Sequence, residues 1–283
     1  MPSIPAVPPV ASKNQRGDTL TTPRARPDDY LPVLMFHSIG RGAGPEFRRW
    51  QVDPGLFQEQ IEALVAAGYR LVGMSAALDD PADRTVGVTF DDAYQDFVEA
   101  AGILRSAGCG ATVYAPTRYV GAEASWLAGP DTGLSIMDWS ELAEVAAAGI
   151  EVGSHGHTHL EMDVLRAGRQ RAEVALSRRI LQTRLGQPVR SFCYPHGYNS
   201  AATRAAVRDA GFDSACEVGF GLHRRDGDRF AIRRLIVTND TRPEDMEHLV
   251  RFGQGVPDTA LRRAARIPWR LYRRAKFYTA VGK

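Results

Sequence analysis

The sequence predicts an α/β fold in which helices alternate with the strands of a parallel sheet. Five times, a helix-like stretch that ends in a small residue and a glycine is followed by a stretch rich in β-forming residues. The glycines stand where the C-terminal end of a helix favours a residue that tolerates positive φ: Gly68, Gly108, Gly149, Gly186 and Gly211. Repeated helix-to-strand turns of this kind are typical of α/β units.

The predicted helices and strands are apolar where such a fold would bury them. Apolar residues share one face in two helices: Phe57, Ile61, Leu64 and Val65 in the first, and Leu176, Ile180, Leu181 and Leu185 in a later one. The predicted strands, such as LPVLMF, TVGVTF and FAIRRLIV, are short and mostly apolar, as in a parallel sheet that is covered on both faces. This pattern leaves open whether the sheet closes into a barrel.

The composition of the 283-residue chain indicates a globular protein kept in a reducing compartment. A hydrophobic fraction of 44% can fill a large core, and a formal net charge of +2 gives no reason to expect a nucleic-acid partner. The three cysteines, Cys109, Cys193 and Cys216, are widely spaced and form no CxxC pair. We therefore expect neither a disulfide framework nor a cysteine metal cluster.

The two ends of the chain differ from its centre. Residues 1–29 are rich in Pro, Ser and Thr and lack the features of a signal peptide, so we expect a disordered lead-in. No stretch approaches the ~20 consecutive apolar residues of a membrane-spanning helix, and we expect a cytoplasmic protein.

Residues 258–283 interleave arginines with apolar residues, which predicts a basic amphipathic helix interrupted at Pro268. This helix either packs on the barrel, the interpretation we favour, or contacts the inner face of a membrane.

Two adjacent carboxylates, Asp91 and Asp92, follow the apolar strand TVGVTF. Successive side chains of a strand point to opposite faces, so both can serve one site only if the strand ends and the backbone turns there. Functional groups gather at the C-terminal ends of strands in parallel α/β folds. The structural alternative is that one of the two carboxylates caps the following helix.

Three histidines, His155, His157 and His159, crowd the end of another predicted strand. Two imidazole nitrogens and one carboxylate are typical ligands of a catalytic zinc site. A helical backbone would put His155 and His159 on one side, whereas an extended backbone would put all three there. We predict that this cluster binds a metal ion rather than forming a polar loop. Two signals are weaker. One is SFCYPHGYN, in which a strand runs into Pro195 and Gly197, and the other is VLMFHSIG, whose histidine follows the first strand.

Taken in this order, the motifs resemble the polysaccharide deacetylase family, also called the NodB-homology or carbohydrate esterase 4 family. TFDD at 89–92 is similar to its first motif, SHGHTH at 154–159 to its second and CYPHG at 193–197 to its third. The resemblance implies a distorted (β/α) barrel of about seven parallel strands, which we assign to residues 30–257. It also implies an enzyme that hydrolyses amide bonds of N-acetylated glycans.

The resemblance further implies roles for the residues of the first two motifs. Asp92, His155 and His159 would hold a divalent metal ion, which would be zinc or, as alternatives, cobalt, nickel or manganese. Asp91 would be the catalytic base. His157 would be a bystander near the metal site.

VLMFHSIG is similar to the branch of the family that deacetylates β-1,6-linked N-acetylglucosamine exopolysaccharides, in which a histidine on the first strand is the general acid. This implies that His37 has that role and that the substrate belongs to exopolysaccharide or cell-envelope glycan biosynthesis. FAIRRLIV resembles a Pro-Arg-Ile strand of such sequences, which implies that Arg234 is a partner of the base. Pro195, His196 and Gly197 would contact substrate, and the His196 N–H would hold the oxyanion.

Three positions depart from the family pattern. Ala93 replaces the usual Gly, Cys193 stands where many members have an Arg that orients the base, and His196 replaces a Tyr. Two other interpretations therefore stay open. An amidohydrolase-type barrel would use an HxH pair, His155/His157 or His157/His159. A non-catalytic glycan-binding relative would keep the barrel without its chemistry.

Overall fold

The structure is a computed structural model that describes residues 29–127, 134–254 and 260–281. Residues 1–28 of the predicted lead-in, and the predicted boundary between residues 257 and 258, lie outside the described residues.

The strands in chain order are Tyr30–Leu31 (β1), Val33–Phe36 (β2), Ser38–Ile39 (β3), Gln51–Val52 (β4), Arg70–Val72 (β5), Thr85–Phe90 (β6), Thr112–Ala115 (β7), Glu151–Ser154 (β8), Ser191–Cys193 (β9), Ser214–Cys216 (β10), His223–Arg224 (β11) and Leu235–Ile236 (β12). The α-helices are Pro54–Ala66 (α1), Met74–Asp79 (α2), Phe97–Ser106 (α3), Trp139–Ala147 (α4), Ala167–Leu185 (α5), Ala201–Asp209 (α6), Met246–Phe252 (α7) and Ala260–Val281 (α8).

Eight of these strands form one parallel sheet that curls into a barrel. Its order is β10-β9-β8-β7-β6-β2-β12, and β5 pairs with the first half of β6. The segment that leads into β12 joins the two edges, because Ile232 bridges Cys216 of β10 while Leu235 pairs with Leu34 of β2. The predicted distorted (β/α) barrel of about seven parallel strands is confirmed, with seven strands on the continuous path.

The five glycines at the predicted helix-to-strand turns all have a left-handed backbone. Their φ angles are 79° at Gly68, 66° at Gly108, 93° at Gly149, 67° at Gly186 and 88° at Gly211. A side chain with a Cβ is disfavoured there, so glycine ends each helix and lets the chain enter the next strand.

Along each strand, successive side chains point alternately toward the helices and toward the barrel interior. The residues that face the helices belong to the main apolar core, with Leu34, Phe36, Val86, Val88 and Phe90 among them. The interior holds a smaller cluster: Leu31, Val33, Met74, Ala77, Tyr114, Cys193, Cys216 and Ile232. The Tyr114 hydroxyl lies 2.7 Å from Ser191 Oγ and 3.3 Å from Cys216 Sγ. The described part of the barrel interior is therefore packed with side chains.

Strand register brings the chemically interesting side chains to one rim. Phe36 pairs with Phe90, so the residues that follow them, His37 and Asp91, lie side by side. Ala115 of β7 pairs with Ser154 of β8, and His155 comes next along the chain. All these residues follow the C-terminal ends of parallel strands, where α/β barrels carry their active sites.

The last helix, α8, runs from Ala260 to Val281 and contains Pro268 in its interior. The predicted interruption at Pro268 is wrong. Pro268 is exposed, and the loss of one backbone hydrogen bond does not end this helix. No helix in the described ranges is long and apolar enough to span a membrane.

Gly153→Ala should lower the free energy of unfolding by about 1–3 kcal/mol through overpacking. The added Cβ would lie 2.5 Å from the Tyr114 ring and 2.9 Å from the Ser191 carbonyl oxygen. Gly102→Ala in α3, whose Cβ would meet nothing within 4 Å, is the control and should raise stability by about 0.5–1 kcal/mol. Urea unfolding followed by circular dichroism measures both, and equal effects would contradict the packing argument.

Candidate metal centre and active site

Asp91 and Asp92 reach one site because β6 ends at Phe90 and the backbone then turns. Asp92 and Ala93 have φ angles of 71° and 57°, which places both in the left-handed region. Ala93 is fully buried there, at a position where glycine would have no Cβ strain. Helix α3 has Asp96 as its N-cap, so the alternative that Asp91 or Asp92 caps this helix is wrong.

Asp91 forms a bidentate ion pair with Arg234, and the sequence had suggested this partner. The Asp91 Oδ1–Arg234 Nη1 and Oδ2–Nη2 distances are 2.6 and 2.7 Å. The remaining N–H groups of Arg234 donate to the Glu217 carbonyl oxygen at 3.0 Å, Thr89 Oγ1 at 3.1 Å and Cys193 Sγ at 3.1 Å. All five guanidinium N–H groups therefore have an acceptor, as a fully buried arginine requires.

The charges of this pair are set by its surroundings. Burial raises the pKa of Asp91, but the charge and hydrogen bonds of Arg234 outweigh burial, so the pKa lies below its ordinary value. Burial raises the pKa of the Cys193 thiol well above its ordinary value, and the neutral thiol donates to Asp91 Oδ1 at 3.4 Å. Cys193 thus contributes a neutral group where many family members have a cation, and the cation beside Asp91 comes from Arg234.

Asp92, His155 and His159 converge on one point next to the ion pair. Asp92 Oδ1 lies 3.3 Å from His155 Nε2 and 3.0 Å from His159 Nε2. One ligand atom from each residue lies within 4.8 Å of the others, and all three residues are buried. Asp92 Oδ1 has no hydrogen-bond partner among the described residues. Because a buried carboxylate oxygen needs a partner, this donor set fits a divalent cation.

Hydrogen bonds and ring contacts orient the two histidines. His155 Nδ1 lies 2.9 Å from the Cys193 carbonyl oxygen, so Nδ1 carries the proton and Nε2 offers its lone pair toward Asp92. The His159 ring stacks on Trp126 with a centroid distance of 4.0 Å. The sequence analysis missed Trp126, since nothing in the pattern around this tryptophan connects it with the distant histidines.

The pKa values of the three candidate ligands follow from burial and mutual contact. Burial raises the pKa of Asp92, but the two histidines outweigh it and hold the pKa well below its ordinary value. Burial lowers the pKa of His159. Burial also disfavours protonation of His155, but its contact with Asp92 and the charges of Asp91 and Asp92 outweigh burial and raise the pKa of His155. Asp92 is therefore ionised at neutral pH, as a metal ligand must be.

His157 lies outside the candidate metal group. Its Nδ1 is 2.9 Å from Thr117 Oγ1. The loop is neither helical nor extended, with φ angles of 76° at Gly156 and 53° at His159, so both predicted backbone conformations are wrong. In the part of the chain that the structure describes, no candidate metal group contains an HxH pair. The amidohydrolase-type interpretation therefore has no geometric support.

A buried glutamate on α5, Glu173, accepts hydrogen bonds from this loop. Glu173 Oε2 accepts from the backbone N–H groups of His157 at 3.2 Å and Thr158 at 2.8 Å, and Oε1 accepts from Thr158 Oγ1 at 2.7 Å. The sequence analysis missed Glu173 because it took the apolar residues as the buried face of α5. The buried face instead consists of Gln170, Glu173, Val174, Ser177 and Leu181.

His37 lies beside Asp91 at the end of β2. The Asp91 N–H donates to the Phe36 carbonyl oxygen at 3.0 Å, and the His37 ring packs against Trp50 with a centroid distance of 5.0 Å. Burial lowers the pKa of His37 against the opposing charges of Asp91 and Asp92. Its role as general acid stays a prediction.

Pro195, His196 and Gly197 form a turn that borders the metal group. His196 and Gly197 have φ angles of 58° and 74°. A Cβ on Gly197 would lie 2.4 Å from Val218, so this position requires glycine. The His196 ring centroid is 4.8 Å from that of His159. The substrate contacts of this turn and the oxyanion role of the His196 N–H stay predictions.

Comparison with known proteins agrees with this geometry. Residues 79–215 match the family model described as polysaccharide deacetylase. The polysaccharide deacetylase-family protein YxkH of Bacillus subtilis (strain 168) is 26% identical over 215 residues, which cover 74% of this chain and 71% of YxkH.

Two solved structures share the fold. The deacetylase PplD of Streptococcus pyogenes, in complex with acetate, has a TM-score of 0.68 and 21% identity, over 77% of this chain and 97% of PplD. A de-N-acetylase from Aggregatibacter actinomycetemcomitans has a TM-score of 0.66 and 17% identity, over 78% of this chain and 99% of that protein.

Together with the match to the deacetylase family model, the (β/α) barrel and the buried Asp–His–His group at its C-terminal rim indicate a hydrolase of amide bonds. Over residues 79–215 the chain resembles the polysaccharide deacetylase family, and this resemblance indicates an enzyme of the deacetylase type.

Arg234→Met should lower the free energy of unfolding by about 3–5 kcal/mol, because it leaves Asp91 buried without its cation. The control Arg242→Met removes an ion pair with Glu244 whose side chains are 75% and 66% exposed, and it should cost at most about 1 kcal/mol. Urea unfolding at pH 7 measures both changes.

The contribution of this ion pair should also depend on pH. Because folding lowers the pKa of Asp91, the contribution is complete above about pH 4 and is lost as the pH falls through the folded pKa. Below about pH 4, the free energy of unfolding of wild type should therefore fall relative to that of the double variant Asp91→Asn/Arg234→Met. A difference that stays constant from pH 7 to pH 3 would contradict this account.

Proposed function

We propose that the protein removes N-acetyl groups from an amino-sugar-containing glycan and that it uses a divalent metal ion to do so. The observation that carries the proposal is the convergence of Asp92, His155 and His159 beside the ion-paired carboxylate of Asp91. The match of residues 79–215 to the deacetylase family supports the reaction type. The resemblance of VLMFHSIG to the exopolysaccharide branch supports an exopolysaccharide or cell-envelope glycan precursor as the substrate.

Asp92, His155 and His159 would hold the metal ion. Two imidazole nitrogens and one carboxylate favour zinc, with cobalt, nickel and manganese as alternatives. When bound, the ion supplies positive charge that polarises a carbonyl group and lowers the pKa of water. The chain prepares the ligands by keeping Asp92 ionised and by fixing the tautomer of His155.

Asp91 would accept a proton from the attacking water. Its bidentate contact with Arg234 fixes the plane of the carboxylate and keeps it ionised. A carboxylate has about four lone-pair sites, so contacts with Arg234 and Cys193 leave acceptor capacity for that proton. The backbone N–H of His196 would donate to the oxyanion that develops at the acetyl carbonyl.

His37, which directly follows β2, would protonate the departing amine. Burial lowers the pKa of His37, so its imidazole is neutral in the resting protein. His37 must therefore gain a proton during the reaction, and Asp91, once protonated, is a source in the neighbouring strand. The products would be acetate and a free amino sugar.

Acetate release from an N-acetylglucosamine oligomer, after reconstitution with zinc, tests this proposal. Asp91→Asn should lower kcat by about 10²–10⁴-fold, the usual contribution of a general base. His155→Ala should lose both activity and bound zinc. His37→Ala should lower kcat while it leaves bound zinc unchanged. His157→Ala is the matched control, since its ring lies outside the candidate metal group, and it should keep both.

Three outcomes would oppose the proposal. Wild-type turnover in both Asp91→Asn and His155→Ala would exclude the assigned roles. Loss of zinc from His157→Ala but not from His155→Ala would favour the amidohydrolase-type alternative. Glycan binding without acetate release under zinc, cobalt, nickel and manganese would favour the non-catalytic alternative.

We also propose that α8 contacts an anionic membrane surface with its outer side. Leu271 and Tyr272 are 56% and 58% exposed, and Arg274 and Lys276 nearby are exposed as well. Apolar side chains flanked by cations favour a membrane interface with acidic headgroups. Such a contact would place the protein at the inner face of the membrane, which agrees with the cytoplasmic location expected from the sequence.

Flotation with liposomes that contain phosphatidylglycerol tests the membrane contact. Wild type should float, and the double variant Leu271→Ser/Tyr272→Ser should float less because it removes the exposed apolar groups. Val65→Ser in α1, where the side chain is 40% exposed, is the control. Equal flotation of the double variant and wild type, or no flotation of wild type, would exclude the contact.

A further inference from the structure

Two irregular segments carry the residues that border the candidate metal group. We call residues 155–163 the histidine loop and residues 195–198 the proline turn. Each contains a histidine with a left-handed backbone, with φ angles of 53° at His159 and 58° at His196. Such conformations are unfavourable for residues other than glycine and persist only where the surrounding structure holds them. The site therefore depends on contacts that fix both segments.

One side chain of α8 contacts both segments. Arg273 donates to Asp163 Oδ1 at 2.9 Å and Oδ2 at 2.6 Å, and to Glu161 Oε2 at 2.9 Å. Asp163 and Glu161 belong to the histidine loop. The guanidinium carbon of Arg273 also lies 3.5 Å from the ring centroid of Tyr198, in the proline turn. Arg273 thus spans the gap between the two segments.

The position of Arg273 distinguishes it from the neighbouring basic residues. Its side chain is only 5% exposed, and that of its partner Asp163 is 4% exposed, whereas Arg274 and Lys276 are exposed. Trp269, one turn earlier, strengthens the same contact, because its indole N–H donates to the Tyr198 hydroxyl at 3.2 Å. The inner side of α8 is therefore docked on the site, while the basic residues on its other side stay in solvent.

The contacts require the shape of an arginine side chain. A planar guanidinium can donate two parallel hydrogen bonds to one carboxylate and also stack on an aromatic ring, whereas a lysine ammonium is a point charge that cannot do both. Because the Asp163 carboxylate is buried, losing its cation carries a larger penalty than losing a surface ion pair.

We propose that α8 completes the active site. Arg273 is a positioning residue that fixes the histidine loop and the proline turn relative to each other. This inference rests on the proposed function, since it assigns α8 a role in the same metal site. The segment that matches the deacetylase family ends at residue 215, so Arg273 lies well beyond it in sequence. Without Arg273, His159 and the His196 peptide lose a common support.

The variants Arg273→Met and Arg273→Lys test this proposal, with Arg274→Met and Arg274→Lys as matched controls on the exposed side. Zinc affinity, measured by competition with a chromogenic chelator, should fall about 10–100-fold in Arg273→Met, as it does when a group that orients metal ligands is removed. Arg273→Lys should recover only part of this loss. With the acetylated oligomer, kcat should fall more than KM changes. Both Arg274 variants should keep the zinc affinity, kcat and KM of wild type.

Hydrogen exchange measured by mass spectrometry gives a readout that needs neither metal nor substrate. In Arg273→Met, exchange should become faster in the histidine loop and in the proline turn together, while exchange in the barrel strands stays unchanged. If Arg273→Met does not fold, Arg273→Lys carries the test. Unchanged exchange in either segment, or faster exchange throughout the protein, would overturn the proposal. Failure of wild type to bind zinc or release acetate would instead count against the proposed function.

Discussion

The buried ion pair between Asp91 and Arg234 is the interaction on which the organisation of the site depends. Taking an arginine out of water is costly, and here all five of its N–H groups recover an acceptor. These acceptors come from different parts of the barrel wall, so the guanidinium links the strand that carries Asp91 to those near Cys193 and Glu217. Cys193 supplies no charge in the third motif, and the cation beside Asp91 is Arg234, which directly precedes β12.

Backbone strain is concentrated around this pair. Among the described residues, six non-glycine residues have positive φ, and four of them, Asp92, Ala93, His159 and His196, border the site. A left-handed backbone lets the chain turn a side chain inward directly after a strand, which regular geometry does not allow. Contacts from outside the loops balance this cost: Glu173 binds two backbone N–H groups of the histidine loop.

Much of the site was visible in the sequence because motif residues lie next to strand ends. Asp91 and Asp92 follow an apolar strand, and the glycines that end the helices mark where each next strand begins. The conformation of the histidine loop could not be predicted, since His159 turns inward through a left-handed backbone that neither helical nor strand periodicity describes. The burial of Glu173 was missed because an apolar pattern does not reveal a charged residue that is buried to bind backbone amides.

The sequence by itself determined the α/β alternation, the strand ends that carry the carboxylates and histidines, and the resemblance to the deacetylase family. These are local properties, since hydrophobic periodicity and turn residues act over a few positions. Only the tertiary structure decided that the sheet closes through Ile232 and that Arg273 contacts Asp163 of the histidine loop across 110 positions of sequence. Pairing between distant residues depends on strand register and packing in three dimensions, and no local pattern encodes it.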